Sequence, residues 1–439
     1  MPTRLFLPLL LLRCCPAMLA ADWPAWRGPS GIGLSEEKNL PVKWSTTENV
    51  KWRVTLPEPG NSTPIVSRGR IFVTQAVGDR RTLMCFDRTD GKLAWQQGVT
   101  TNAKDPTHAT NPYCSGSPAT DGEHVIAAFA SDGLFCFDLD GKELWRRTDL
   151  GRQVHIWGGA ASPVIHGDLC FLNFGPGEIT YLLAVDKRTG RTVWRHDEAT
   201  GYGRPPAADV RVSASSKNAA GHNQKVATDI GAWSTPVIMN VAGEVQLLVS
   251  WPRRLAAYDP RTGRELWSCS GLNPLVYPSP IFGDGIVVAM GGYSGSALAV
   301  RAGGSGDITA SRRLWQHPRT RQRIGSGVIH EGRIYIHNDP GIAECFELES
   351  GKLVWEERLK GPGRTGANWS SVMLADGNGY TITQGGDCFV FKASPTFELV
   401  SVNPLGERSN SSIVPSDGEL FIRTHQALWC IAEKKADRS

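Results

Sequence analysis

Long hydrophobic runs are scarce in this 439-residue chain, and no stretch after residue 21 approaches 18 consecutive apolar residues. That argues against a helical transmembrane segment in the mature chain. An excess of one charge is also missing. Of the 47 Lys and Arg, Arg4 and Arg13 lie in a segment expected to be removed; the other 45 stand against 43 Asp and Glu, a net +2. Such balance supplies no overall field for nucleic acid. No C-x-x-C, G-x-S-x-G, H-E-x-x-H or P-loop occurs, and the ten His are scattered. Zinc sites, these hydrolase signatures and nucleotide cradles therefore have no support. Gly361 to Gly366 matches G-x-G-x-x-G, but no helical pattern follows, so it reads as a loop.

Residues 1–21 read as a secretory signal. Arg4 gives a positive start, Leu5 to Leu12 an apolar core, and Ala17, Ala20 and Ala21 the small residues before a mature start near Asp22. The expected location is exported, periplasmic or extracellular. Arg13 precedes Cys14-Cys15 where a lipobox needs a small residue, so no lipid anchor is expected. Export permits disulfides. Five of the remaining eight cysteines (Cys85, Cys136, Cys345, Cys388, Cys430) fall at one position of a repeat and read as small buried thiols. Cys114, Cys170 and Cys269 fall outside that register, and their pairing is open.

What the chain has in quantity is Gly (48), Pro (28) and Trp (15), with Trp outnumbering both Phe (14) and Tyr (8). Turn-rich composition favours many short elements, and a Trp surplus points to repetition. The unit Cys85-Phe86-Asp87 to Gly91-Lys92-Leu93-Ala94-Trp95 returns ending at Trp145, Trp194, Trp267 and Trp355, with weaker copies ending at Trp315 and Val400. It reads as a hairpin: an apolar strand, an Asp-opened turn with Gly where φ is positive, and a second strand ending in Trp.

A Ser/Thr-Pro signal precedes each hairpin, at Thr63-Pro64, Ser117-Pro118, Ser162-Pro163, Thr235-Pro236 and Ser279-Pro280. Proline-less versions start at Ser326-Gly327, Ser370-Ser371 and Ser411-Ser412. Successive starts lie 54, 45, 73, 44, 47, 44 and 41 residues apart. Eight starts with a period in the forties predict an all-β, eight-bladed β-propeller of four-stranded blades. The last copy lacks its final strand, and Asn49-Val50-Lys51-Trp52 supplies one ahead of the first, so the N-terminal strand should close the last blade. The expected layout is a signal (1–21), an extended segment (22–49), the propeller (50–434) with an insertion at about 201–228, and a tail (435–439).

This hairpin pattern resembles the tryptophan-docking motif of the PQQ-like (quinoprotein-type) β-propellers, and the resemblance spans roughly residues 50–434. It implies that Trp52, Trp95, Trp145, Trp194, Trp267, Trp315 and Trp355 pack between blades. The opening Trp23-Pro24-Ala25-Trp26-Arg27-Gly28-Pro29 is similar to the start of exported bacterial members and reads as a Pro-braced strip laying two indoles on the propeller. The family includes dehydrogenases that hold pyrroloquinoline quinone and Ca²⁺ in the channel, and non-catalytic propellers such as the outer-membrane assembly factor BamB. The dehydrogenases carry an adjacent Cys-Cys pair over the quinone; here that pair is Cys14-Cys15, inside the signal. No cofactor is therefore assigned; PQQ and Ca²⁺ stay open, with their ligands not found in the sequence.

Segments leading from one blade into the next line one mouth of a propeller channel. There the chain places Tyr113; Arg152, His155 and Trp157; Trp233; Tyr277; Arg321 and Arg323; Arg364, Asn368 and Trp369; and Arg408 and Asn410. Aromatic platforms and guanidinium groups suit an anionic or polar ligand. The candidate binding residues are Tyr113, Arg152, His155, Trp157, Trp233, Tyr277, Arg323, Asn368 and Trp369. The favoured role is a non-catalytic binding or scaffold protein of the cell envelope whose partner is a protein, peptide or glycan. The alternatives are a PQQ- and Ca²⁺-dependent oxidoreductase and a propeller enzyme acting on polysaccharide.

Overall fold

A computed structural model describes residues 22–101, 105–176, 180–198, 230–293 and 295–433, together with the backbone pairing of Ser215–Lys217 with Asn223–Lys225. The expected signal (1–21) and tail (435–439) lie outside the described residues, as does the rest of the 201–228 insertion.

Eight antiparallel sheets of four principal strands form the expected eight-bladed propeller. Blade 1 consists of Ile65–Ser67, Arg70–Val77, Arg80–Asp87 and Leu93–Thr100. Blades 2 to 7 repeat this inner-to-outer order from Ala119, Val164, Val237, Ile281, Val328 and Met373. Blade 8 is assembled from both ends of the chain. Val414–Ser416, Glu419–Arg423 and Ala427–Ala432 take their outer strand from Val50–Thr55, which pairs antiparallel with Ala427–Ala432. Closing the ring in this way pairs an edge that would otherwise be bare.

The repeat Asp and Gly have local reasons. Asp87 Oδ1 accepts from the Thr89 amide, and Asp186 Oδ1 from the Arg188 and Thr189 amides, so each carboxylate ties down its own turn. The turn glycine also makes room for a neighbour. Gly263 has φ +71°, and a Cβ there would lie 2.5 Å from the Trp194 ring of the preceding blade. The same indole donates through Nε1 to the Pro260 carbonyl at 2.8 Å. Trp52, Trp95, Trp145, Trp315 and Trp355 likewise donate to carbonyls of the following blade, those of Arg88, Leu139, Lys187, Leu348 and Ser394.

Trp267 departs from this pattern. It is fully buried among blade 4 and 5 side chains, but its Nε1 donates to Gln246 within its own blade. The next blade's turn region is longer here, and its Gly306–Asp307 pairs parallel with Trp267–Ser268, taking the place of a short Asp-Gly turn.

A second contact runs around the ring nearer the axis. The Thr63 amide donates to Ser117 Oγ, the Ser117 amide to Ser162 Oγ, and the Ser162 amide to Thr235 Oγ1. The chain of bonds continues from Ser279 to Ser326, Ser326 to Ser371, Ser371 to Ser412, and Ser412 back to Thr63, all at about 3.0 Å. The hydroxyls of the Ser/Thr-Pro signals thus join neighbouring blades. In the last two proline-less copies the second serine fills the role. Between blades 4 and 5 the described contact is different: Gly231–Ala232 runs parallel to Leu275–Val276.

Candidate binding site at the channel mouth

The N-terminal strip crosses the ring. Trp23 pairs with Val66 on the inner strand of blade 1, and the Pro24 carbonyl accepts from Thr120 in blade 2. The Arg27 guanidinium then donates to the Ser326 and Gly327 carbonyls of blade 6, which faces blade 2 across an eight-membered ring. Beyond it, Leu34–Ser35 pairs with Leu374–Ala375 of blade 7, and the Glu37 carboxylate accepts from Asp417 and Gly418 in blade 8. Apart from those of Arg27, which meet the start of the blade 6 inner strand, these contacts lie towards the turns between first and second strands. Arg27 is 3% exposed, and its loss of water pushes its pKa down to about 9. The strip does lay two indoles on the propeller: Trp23 is buried, while Trp26 faces the channel.

The channel is thereby floored at one end and forms a cup of about 330 Å³ at the other. The mouth is built by the connections between blades and by turns between second and third strands. One side, from blades 3 to 5, is aromatic. Trp157 lies 5.9 Å from Trp233 and from Tyr277 and 6.1 Å from Tyr293, ring centre to ring centre, and Trp233 lies 5.0 Å from Tyr277. Trp233 is fixed by its Nε1 bond to the Gly158 carbonyl. Burial in this cluster raises the Tyr277 phenol well above its ordinary range, so it stays protonated.

The opposite side, from the connections around blades 8, 1 and 2, is made of amides. Asn410 Nδ2 donates to Asn61 Oδ1 and to the Thr110 carbonyl, and Asn61 Nδ2 donates to the same carbonyl. Asn111 Nδ2 donates to the Trp157 carbonyl of the adjoining connection, where the two sides meet. Behind Asn61, burial lowers His425 to about 4, so its Nε2 contact with Asn61 Oδ1 involves a neutral ring at physiological pH.

Of the nine candidate residues, Trp157, Trp233, Tyr277 and Trp369 line this cup. The other five do not. Tyr113 lies behind the wall, stacked 3.6 Å from the Arg81 guanidinium carbon and donating to the Asp105 carbonyl. Arg152 lies outside the lining, and buried His155 packs edge-on behind Trp233. Arg323 is 2% exposed and spends its guanidinium on Asn338 and Glu344 within blade 6. Asn368 is fully buried, bonded to the His337 and Ser370 carbonyls. The expected guanidinium groups are thus absent from the described lining. It contains no Asp, Glu, Lys or Arg.

Trp26, Tyr293, Asn61, His108, Thr110 and Asn111 also line the cup. Asn61 and Asn111 precede Thr63 and Ser117 and carried the same positional signal as Trp157. Tyr293 belongs to a turn between strands, and Trp26 to the strip, so neither carried it.

The family model described as outer membrane protein assembly factor BamB matches residues 44–201 and 180–438. The chain belongs to the BamB family. A BamB of Burkholderia pseudomallei (strain K96243) is 20% identical over 389 residues, 84% of this chain and 86% of that protein. The crystal structure of BamB from Moraxella catarrhalis superposes with a TM-score of 0.59 at 13% identity, covering 88% of this chain and 98% of that one. A quinohemoprotein alcohol dehydrogenase from Pseudomonas putida HK5 gives 0.58 at 11%, covering 95% and 82%. At such identities the structural likeness is one of fold, and a fold does not carry a function with it.

The dehydrogenase cofactor does not fit the described cup. PQQ is a tricarboxylate that needs cationic partners, and Ca²⁺ needs several carboxylate or carbonyl oxygens. The described lining offers PQQ no lysine or arginine, and offers Ca²⁺ amide oxygens but no carboxylate to balance its charge. Among the described residues no group of three or more His, Cys, Asp or Glu is placed to hold a metal ion. All eight cysteines after residue 21 are buried free thiols, Cys114, Cys170 and Cys269 included, and burial pushes Cys114 up to about 12.

Proposed function

We propose that this BamB-family chain is an exported, non-catalytic binding or scaffold propeller of the cell envelope, with its ligand or partner engaged at the mouth of the cup. The observation that carries this reading is the aromatic-and-amide lining, without Asp, Glu, Lys or Arg among the described residues, of a channel floored by the chain's own N-terminal strip. Such a lining can hold a ligand by shape and neutral hydrogen bonds. The described lining contains no carboxylate, lysine or arginine, and His108 is its one imidazole. The relatives named for outer membrane protein assembly, and the secretory pattern of residues 1–21, support an envelope role. No helix among the described residues is long and apolar enough to cross a membrane. Trp157, Trp233, Tyr277 and Trp369 are the contact residues in this reading, with Tyr293 and Trp26 added by the structure.

The test is a titration of the purified chain with PQQ and Ca²⁺, following melting temperature and dye-linked alcohol oxidation. The expected result is no turnover and no shift. A ligand at 100 times its Kd would add about 2.7 kcal/mol to the folded state. A stabilised protein that turns over alcohol would replace this reading with the oxidoreductase one.

A further inference from the structure

We propose that the cup is a binding site for an uncharged saccharide, entered end-on by the terminus of a chain. This rests on the binding reading above and names its ligand class. The two sides of the cup match the two sides of a sugar ring. A pyranose has an apolar C–H face, for which Trp157, Tyr277 and Tyr293 provide aromatic surface on one side, with Trp369 lining the cup separately before blade 7. Its rim of hydroxyls both donates and accepts, as do the amides of Asn61, Asn111 and Asn410.

Charge narrows the class further. With no Asp, Glu, Lys or Arg in the described lining and His108 its one imidazole, an anionic sugar or a phosphate would lose water and meet no fixed counter-charge. A peptide is disfavoured for a different reason. Strand-like capture uses free backbone groups, whereas the amides of Thr63, Ser117, Ser162, Ser279, Ser326, Ser371 and Ser412 are committed to neighbouring blades. These seven amides are therefore not available to a peptide strand.

An independent observation points to a missing donor. Asn410 is 8% exposed, and its Nδ2 is occupied by Asn61 and Thr110, yet its buried Oδ1 has no partner. A buried acceptor left bare is costly, and an outward turn of the Asn410 side chain on binding would let a ligand hydroxyl satisfy it. The volume of about 330 Å³ lies at the small end for ligand pockets, and the floor at Trp26 stops a polymer from threading through.

The test titrates the full mature chain with cellotetraose and chitotetraose, followed by calorimetry and intrinsic fluorescence. Tetragalacturonate and a neutral Gly-Ala-Pro peptide serve as comparisons. The expected result is saturable binding of at least one uncharged saccharide in preference to both comparisons. Tyr293→Ala, Trp369→Ala and Asn410→Ala should each weaken it about tenfold or more, while Leu144→Ala on an outer strand leaves it unchanged. Tyr293 is 53% exposed, so that variant keeps the test open if another fails to fold. Absence of saccharide binding, preference for the acidic sugar or the peptide, or full affinity in all three mouth variants overturns the saccharide assignment. Binding with the oligosaccharide recovered intact supports both readings. Binding with cleavage upholds the saccharide site and overturns the non-catalytic reading alone.

Discussion

The contact between Trp194 and Gly263 permits a quantitative test of how the ring is held together. Trp194 is 9% exposed, donates to the Pro260 carbonyl at 2.8 Å and lies over Gly263 of the next blade. Trp194→Ala removes a buried indole and orphans that carbonyl, which should cost about 3–5 kcal/mol. Gly263→Ala imposes two separate penalties. A φ of +71° costs a non-glycine residue about 1–2 kcal/mol. The added methyl, 2.5 Å from Trp194 Cε3 and 2.6 Å from Cδ2, forces an overpacking cost of about 1–3 kcal/mol. Only the second penalty requires the indole. In the double variant the overlap disappears while the backbone strain remains. The double should therefore be less destabilised than the sum of the singles by about 1–3 kcal/mol. Equilibrium urea unfolding, with the midpoint compared at constant m, measures all three. Additive singles, or a Trp194→Ala change within about 0.5 kcal/mol, would refute the packing argument, since surface substitutions behave that way.

Two further outcomes follow from buried polar groups. His337 is 1% exposed, and burial lowers it to about 3, against about 6.5 when unfolded. The unfolded state thus binds the extra proton between these values. The histidine's contribution is complete above pH 6.5 and falls as pH drops towards 3, by roughly 2–3 kcal/mol at pH 4.5. Chemical denaturation at pH 7.5 and 4.5 should show a shallower acid loss for His337→Gln; an unchanged slope would remove His337 as its cause. At the ring seam, fully buried Arg423 of blade 8 donates to the Ser62 and Thr74 carbonyls and to Gln75 of blade 1. Arg423→Met should cost about 3 kcal/mol or more, because charge-assisted bonds are lost and their acceptors stay buried. A stability within about 0.5 kcal/mol of the parent would show that the seam is held elsewhere.

The mouth shows where a sequence pattern stops being informative. Trp157, Trp233, Tyr277 and Trp369 were legible because they precede blade starts without belonging to the repeating hairpin. Arg323 carried the same signal, yet its guanidinium turns back to Glu344 on its own blade. Position along the chain says that a residue is near the axis; its side-chain direction depends on partners strands away. Trp267 makes the same point from the other side, since a longer turn in the next blade removes the carbonyl that the other indoles use.

The sequence by itself determined the architecture. A hairpin with Asp, Gly and Trp at set spacing is a local device, and its recurrence behind eight Ser/Thr starts dictates the blade count, the turn glycines and the closing strand Val50–Thr55. Only the tertiary structure decided what the channel contains. The crossing of Trp23 to Arg27 from blades 1 and 2 to blade 6, the floor it makes at Trp26, and the meeting of Asn61, Asn111 and Asn410 in one wall join residues up to about 350 positions apart. No periodicity encodes such neighbours. They arise because ring closure brings segments from every blade to one axis, where each side chain is placed by the blades beside and across from it.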